Sequence, residues 1–286
     1  MLSEANILAI RKFANRIRRE AMMSMGQCGL GHVGGSMSIA DAFAVLYNGM
    51  MRVRPEDPVW PQRDKIVMSK GHAGPIMYAA LAERGFFPRE WLSTLNQGGT
   101  RLPSHTDRLR TPGVDMSTGS LGQGASTACG LAMSDRMQGR DCRTFLILGD
   151  GELNEGQGWE AMMFISDKKL TNLITIVDSN KMQVDGPCRE VCDMGDLTAK
   201  FESFGLSAVS VEDGNDVEQI WNALEGALHV QDRPACVVLN TVKGKDAAGF
   251  EGDWACHHAR ISSEQLAACL RRFDEIDAAL EGGERK

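Results

Sequence analysis

Gly149-Asp150-Gly151-Glu152-Leu153-Asn154-Glu155-Gly156, and then Asp178-Ser179-Asn180-Lys181-Met182, are the segments on which the reading of this chain turns. In front of the first, Thr144-Phe145-Leu146-Ile147-Leu148 is a short apolar run that ends in a turn signal, the pattern of a strand buried on both faces of a parallel sheet. Gly149 and Gly151 let the backbone turn sharply and come close to a ligand. From Asn154 onward, Trp159, Met162, Met163 and Ile165 recur at helical spacing. Asp150 therefore falls at a strand-to-helix turn, where open α/β sheets bind ligands. Asn172-Leu173-Ile174-Thr175-Ile176-Val177 reads as the next strand and Asp178 to Asn180 as its exit, which puts Asp150 and Asn180 on one edge of one sheet. A carboxylate, an amide oxygen and the Met182 backbone carbonyl suit a hard cation, Mg²⁺ or Ca²⁺, with room left for two diphosphate oxygens and a water. Gly-Asp-Gly alone is also a common turn. The two-strand context and the run Asn180-Lys181-x-x-x-Asp185-Gly186 favour metal and diphosphate.

The rest of the chain reads as a wound α/β layer: a mostly parallel sheet with helices on both faces, in a single domain over residues 1–286. Ile7, Ile10, Ala14, Ile17 and Ala21 keep helical spacing behind Ser3 as N-cap. A glycine-rich loop runs to Ser38, followed by a helix over 39–50, a strand over 65–69 and a helix over 73–83. A short helix over 90–95 comes next. Residues 96–121, rich in Gly, Pro, Ser and Thr, read as a long irregular segment of the kind that carries function. Helices follow over 123–137 and 216–228, strands over 207–211 and 235–241, and a terminal helix over 263–280, with 282–286 expected to fray. No internal repeat is visible.

With 286 residues, 43% hydrophobic and 24% charged, the composition is that of an ordinary globular chain. A net charge of -7 argues against nucleic acid or an anionic membrane surface as the main partner. No apolar run of about 18 residues is present, and the N-terminus lacks a basic and apolar leader pattern. The eight cysteines include no Cys-x-x-Cys pair, and Cys188 and Cys192 are the closest two, so all are expected to be reduced thiols in the cytoplasm.

Gly29-Leu30-Gly31-His32-Val33-Gly34 fits a dinucleotide-binding pattern, but that motif needs a strand in front of it, and here an amphipathic helix precedes it. The six histidines are more telling. His229 ends a helical pattern, where the helix terminus accounts for it. His32, His72, His105, His257 and His258 lie in glycine-rich or loop segments. Imidazoles give and take protons near neutral pH and donate to a developing oxyanion.

The segment from Gly149 to Gly186 closely resembles the thiamine diphosphate motif of transketolases. Gly31-His32-Val33-Gly34-Gly35-Ser36, Ser69-Lys70-Gly71-His72-Ala73, Pro103-Ser104-His105 and Thr118-Gly119-Ser120-Leu121-Gly122-Gln123-Gly124 resemble other family motifs in the same order. The match runs to about residue 265. The resemblance implies a thiamine diphosphate-binding fold and an enzyme that transfers a two-carbon ketol unit from a ketose, or its phosphate, to an aldose. It implies that Asp150, Asn180 and Met182 hold the metal, and that His32 and His105 contact the sugar. His72 and His257 would lie by the diphosphate and the reacting centre. Of His257 and His258, the spacing to Ser263-Glu264 favours His257. Gly119, Ser120, Leu121, Gly151 and Glu152 would line the cofactor, and Glu155 would link paired active sites.

Full transketolases continue through a pyrimidine-binding and a C-terminal domain, which supply the glutamate that activates the cofactor and the basic groups that grip sugar phosphate. Neither has a counterpart here. The resemblance therefore implies the N-terminal subunit of a split transketolase, working in an α2β2 assembly with a C-terminal subunit. The alternatives are a subunit of a 2-oxo acid dehydrogenase or deoxyxylulose phosphate synthase type enzyme, or a non-catalytic thiamine diphosphate-binding protein. Several imidazoles suit the several hydroxyls of a sugar better than they suit a 2-oxo acid.

Overall fold

Short apolar runs assemble one parallel sheet: β1 Lys65–Met68, β2 Thr144–Gly149, β3 Leu173–Ser179, β4 Ser207–Val211 and β5 Ala235–Asn240, in the order β1-β2-β3-β5-β4. The computed structural model describes residues 2–283. Side chains alternate across the sheet with the two-residue period of a strand. Ile66, Met68, Phe145, Ile147, Ile174, Ile176, Val237 and Leu239 join one core, while Val67, Leu146, Leu148, Val177, Cys236 and Val238 join another. A sheet buried on both sides needs helices on both, as the apolar runs imply.

The α-helices of six residues or more, in chain order, are α1 Glu4–Cys28, α2 Val33–Ser38, α3 Ala40–Val45, α4 Gly74–Glu83, α5 Gln123–Met137, α6 Gly156–Asp167, α7 Leu197–Ser203, α8 Val217–His229 and α9 Ser263–Gly283. The first core takes its helical share from α1 to α4, α8 and α9, and the second from α5, α6 and α7. Ser3 caps α1 by accepting from the Asn6 N–H at 3.2 Å.

Two regions depart from the reading of the sequence. The expected loop up to Ser38 contains α2, because Gly34 and Gly35 let that helix pack where a side chain would not fit. A Cβ on Gly34 would lie 2.7 Å from Cε of Lys243, and one on Gly35 would lie 3.0 Å from Nε2 of His72. The helix expected over 39–50 breaks at Ile39 and ends in a wider π-helical turn, Leu46–Met50, closed by Met51 N–H to Leu46 O at 2.8 Å. The segment 96–121 is irregular and tied down: Tyr78 donates to Pro103 O at 2.8 Å, and Thr118 donates to Met68 O at 2.5 Å. At the other end of the chain Gly282 and Gly283 continue α9, and the rest of the expected frayed tail, 284–286, lies outside the described residues. All eight cysteines are unpaired. Among the described residues no helix is long and apolar enough to cross a membrane.

Candidate functional site

The carboxyl ends of β1, β2, β3 and β5 deliver Lys70, Asp150, Asn180 and Lys243 to one cleft, which His72, Leu121, Gly151, Met182 and His257 also line. The cleft holds about 70 Å³. Pockets for small ligands run about 300–1,000 Å³, so it fits one polar end of a cofactor rather than a whole one.

Asp150 follows β2 and caps the turn Gly151–Asn154. Its Oδ1 accepts from Gly151 N–H at 2.8 Å, and its Oδ2 accepts from Lys181 N–H at 2.5 Å, which ties the exits of β2 and β3 together. Trp159 on α6 donates to Leu153 O at 2.8 Å and closes the turn from behind. Asp150 is 4% exposed and pairs with no protein cation within 4 Å among the described residues. Burial, and then the charge of Asp178, push its pKa up to about 6. A carboxylate held in this way gains most from a metal ion.

Asn180 is oriented from both ends. Its amide donates to Asp178 Oδ2 at 3.3 Å, and its Oδ1 accepts from Met182 N–H at 3.1 Å. Asp178 is fully buried beneath it and accepts from Lys70, from Ser38 at 2.6 Å and from Thr241. Burial alone would raise the Asp178 pKa, but the charge and hydrogen bonds of Lys70, with those of Ser38 and Thr241, hold it below the ordinary carboxylate range. Asp178 and Lys70 are thus an internal, satisfied pair that supports the cleft.

Lys243 is different. It is 2% exposed and has no carboxylate within 4 Å among the described residues. Its Nζ donates to the carbonyls of Met182 and Gln183, each at 3.3 Å, and lies 3.4 Å from Nδ1 of His257. Burial pushes its pKa down. A buried ammonium without an anion is costly unless a ligand supplies one. The cleft therefore has one carboxylate lacking a cation and one cation lacking an anion. A divalent metal bound to a diphosphate satisfies both.

Above this cleft stand the histidines. The His32 ring centroid lies 5.4 Å from His72, 5.6 Å from His105, 5.7 Å from His257 and 4.4 Å from His258, and His72 lies 4.8 Å from His257. Burial, and then the charges of His258, His257 and His105, depress the His32 pKa to about 3. Burial and Lys243 depress His257 to about 4. His72 and His105 are lowered too, again first by burial. These four are neutral imidazoles at pH 7, and each then offers one donor and one acceptor. Among the described residues, the ring nitrogens of His32, His72 and His105 have no protein hydrogen-bond partner.

The remaining residues singled out in the sequence divide. Leu121 and Gly151 line the cleft. Gly119 adjoins it at φ +139°, where a Cβ would lie 2.8 Å from the His105 ring. Glu152 lines the cleft, but its carboxylate is engaged by the Ser69 hydroxyl and by the N–H groups of Gly122 and Gly149 at 2.9 and 3.0 Å, so it braces the loops. Ser120 and Glu155 are exposed and outside the cleft lining. Sequence reasoning gave no role to Lys70, Asp178 or Lys243. The signal for Lys243 was its place just past β5, on the same sheet edge as Asp150 and Asn180.

A family model described as transketolase, thiamine diphosphate binding domain, matches residues 10–275. The chain belongs to this family. It is 45% identical to the 6-deoxy-6-sulfo-D-fructose transketolase subunit SqwG of Clostridium sp. (strain MSTE9) over 93% of this chain and 96% of that one. It is 34% identical to an apulose-4-phosphate transketolase subunit of Actinobacillus succinogenes, over 95% of each chain. Among solved structures, transketolase from Leishmania mexicana superposes with a TM-score of 0.85 at 29% identity, covering 96% of this chain and 46% of that one. The chain thus spans nearly the whole of the two subunits and about half of the solved transketolase. The domain is one that binds thiamine diphosphate, and the cleft fits the polar end of that cofactor. Lys243 would face a diphosphate bound in this cleft, and Asp150, Asn180 and the Met182 carbonyl would offer oxygens to a hard cation. Among the described residues no three His, Cys, Asp or Glu side chains gather as a metal site, so the metal would lean on phosphate oxygens.

Proposed function

We propose that the chain is the N-terminal subunit of a two-subunit transketolase. It moves a two-carbon ketol unit from a ketose, or its phosphate, to an aldose. The observation that carries the reading is the cleft with an uncompensated carboxylate, Asp150, facing an uncompensated ammonium, Lys243, beneath a set of neutral imidazoles. Bound thiamine diphosphate supplies the nucleophilic carbon and takes up the electron pair of the broken bond. The protein binds and orients. Asp150, Asn180 and the Met182 carbonyl hold Mg²⁺ or Ca²⁺, and Lys243 holds the diphosphate. His32 and His105 hydrogen-bond the sugar's hydroxyls and donate to its carbonyl oxygen, where negative charge grows. His72 and His257 stand between sugar and diphosphate, able to pass a proton through Nδ1 or Nε2.

The relatives named as transketolase subunits support a separate partner. In this reading, residues 1–286 are one thiamine diphosphate-binding domain, and a C-terminal subunit brings the pyrimidine-binding and C-terminal domains in an α2β2 assembly. An apolar groove of about 610 Å³ between α5 and α6, flanked by the exposed Met137 and Phe164, supports an interface on that face. Eight unpaired thiols accord with the reducing cytoplasm. The two relatives are named for different ketoses, so the donor varies among subunits of this length.

The test is thermal melting of the chain with thiamine diphosphate and Mg²⁺, alone and mixed with a candidate C-terminal subunit, followed by turnover of ketoses against pyruvate. A ligand that binds only the folded state raises the melting point. A rise that grows with the partner and is lost in Asp150→Ala, together with ketose turnover, is expected. No rise under any condition removes the diphosphate reading, and turnover of pyruvate alone moves the chain to the 2-oxo acid class.

A further inference from the structure

His258 stands apart from the other imidazoles. Residues Ala259–Arg260 pair antiparallel with Leu30–Gly31 in the register Gly31 opposite Ala259 and Leu30 opposite Arg260. Ile261 N–H donates to Gly29 O at 3.0 Å and anchors the far end of the ladder. Continuing this register by one residue sets His258 directly opposite His32, and directly opposed residues of an antiparallel pair bring their side chains together. The rings accordingly lie 4.4 Å apart, tilted by 41°. The backbone register thus sets these two residues against each other.

The next residue back serves a different part of the site. His257 lines the cleft and lies against Lys243, whereas His258 is outside the cleft lining, exposed, beside His32 and within electrostatic reach of His105. Depth orders the groups. Asp150 and Lys243 lie deepest, His72, His257 and His32 are half-buried, and His105 and His258 are at the mouth. Among the described residues neither ring nitrogen of His258 has a protein hydrogen-bond partner. A ring that served only to prop His32 would be packed and covered. This one keeps its donor and its acceptor open to whatever enters over His32.

We propose that His258 is a specificity residue that binds the outer part of the sugar, the hydroxyls beyond the bond that breaks. This rests on the transketolase reading above. A substrate whose two-carbon unit sits over the cleft extends its remaining carbons toward the mouth, where His258 and His105 face it. Polyol recognition requires several polar groups aimed at neighbouring hydroxyls, and two imidazoles with open ring nitrogens provide them.

The test uses the chain loaded with thiamine diphosphate and Mg²⁺ and assembled with its C-terminal subunit. Two donor classes are compared. A five- or six-carbon ketose carries the outer hydroxyls, while 3-hydroxypyruvate presents the same ketol unit on a carboxylate and lacks them. In His258→Ala, kcat/KM for the ketose should fall about tenfold further than for 3-hydroxypyruvate, chiefly through KM, the scale of one lost hydrogen bond. His258→Asn, which keeps a donor and an acceptor, should recover part of the ketose loss. In addition, the His258 ring C–H resonance should shift on saturation with ketose and stay in place with 3-hydroxypyruvate. An equal loss on both donors would overturn the assignment and make His258 a support for His32. No loss on either, or no shift of the resonance, would overturn it as well. If the wild-type assembly turned over neither 3-hydroxypyruvate nor ketose, the transketolase reading would fall and take this assignment with it. An active wild type with an unselective variant would remove the role of His258 alone.

Discussion

Asp150 shows how much a single residue can cost a protein that awaits its ligand. Its pKa of about 6 in the folded chain stands roughly two units above that of an exposed aspartate. A carboxyl with a raised folded pKa destabilises the fold wherever it is ionised. The penalty, on the order of 3 kcal/mol, is fully present above pH 6 and fades as pH falls toward 4. Asp150→Asn removes the charge but leaves either the Gly151 or the Lys181 N–H without its acceptor, a loss of about 1–2 kcal/mol. Relief of the charge wins by about 1 kcal/mol. The ligand-free variant should therefore melt above the wild type at pH 8, level with or below it at pH 4, and show no rise with thiamine diphosphate and Mg²⁺. A variant that melts lower than wild type at pH 8 without ligand would mean that Asp150 is already compensated in the fold.

At the scale of elements, the strand-turn-helix around Gly149-Asp150-Gly151 was legible because each level agreed: an apolar run, a turn, then helical spacing. The parallel sheet and both its covered faces followed from the same pattern. Elements whose cause is a distant contact were not legible. A helix over Val33–Ser38 runs against the helix propensity of its two glycines, about 1 kcal/mol each, and forms because Gly34 and Gly35 fit beneath Lys243 and His72. The place of Lys243 just past β5 is visible in sequence, but its burial is not, since that depends on the same packing. The neighbouring irregular segment makes the point testable. Gly119 has φ +139° and faces the His105 ring, while Gly99 has φ +80° and open space around it. Gly99→Ala should cost only backbone strain, about 1 kcal/mol. Gly119→Ala adds a clash with the His105 imidazole and should cost about 2–3 kcal/mol by urea denaturation. Equal costs would show that His105 gives way freely and is not held by the 96–121 segment.

For the molecule as a whole, the imidazole cluster sets a pH dependence of the opposite sign to that of Asp150. His32 and His257, at about 3 and 4, and His72, well below its ordinary value, stay neutral in the fold under conditions where the unfolded chain takes up protons near pH 6.5. A depressed histidine pKa therefore withdraws stability as pH falls below 6.5. At pH 5 His32 and His257 would each cost about 2 kcal/mol unscreened, and about 1 kcal/mol once solvent reaches these half-buried rings, and His72 adds a cost of the same sign. Three rings then outweigh the gain of about 1.4 kcal/mol that Asp150 returns between pH 6 and 5. Asp178, whose pKa is lowered, withdraws its contribution only below about pH 4, outside this window. The urea midpoint of the ligand-free chain should thus drop between pH 7.5 and 5 by the equivalent of about 1–2 kcal/mol. Replacing His32 and His257 together by Asn should abolish the drop. A midpoint that stays level would mean the rings are already charged in the fold, and a cluster of cations over the cleft would then be built to hold an anion and not the hydroxyls of a sugar.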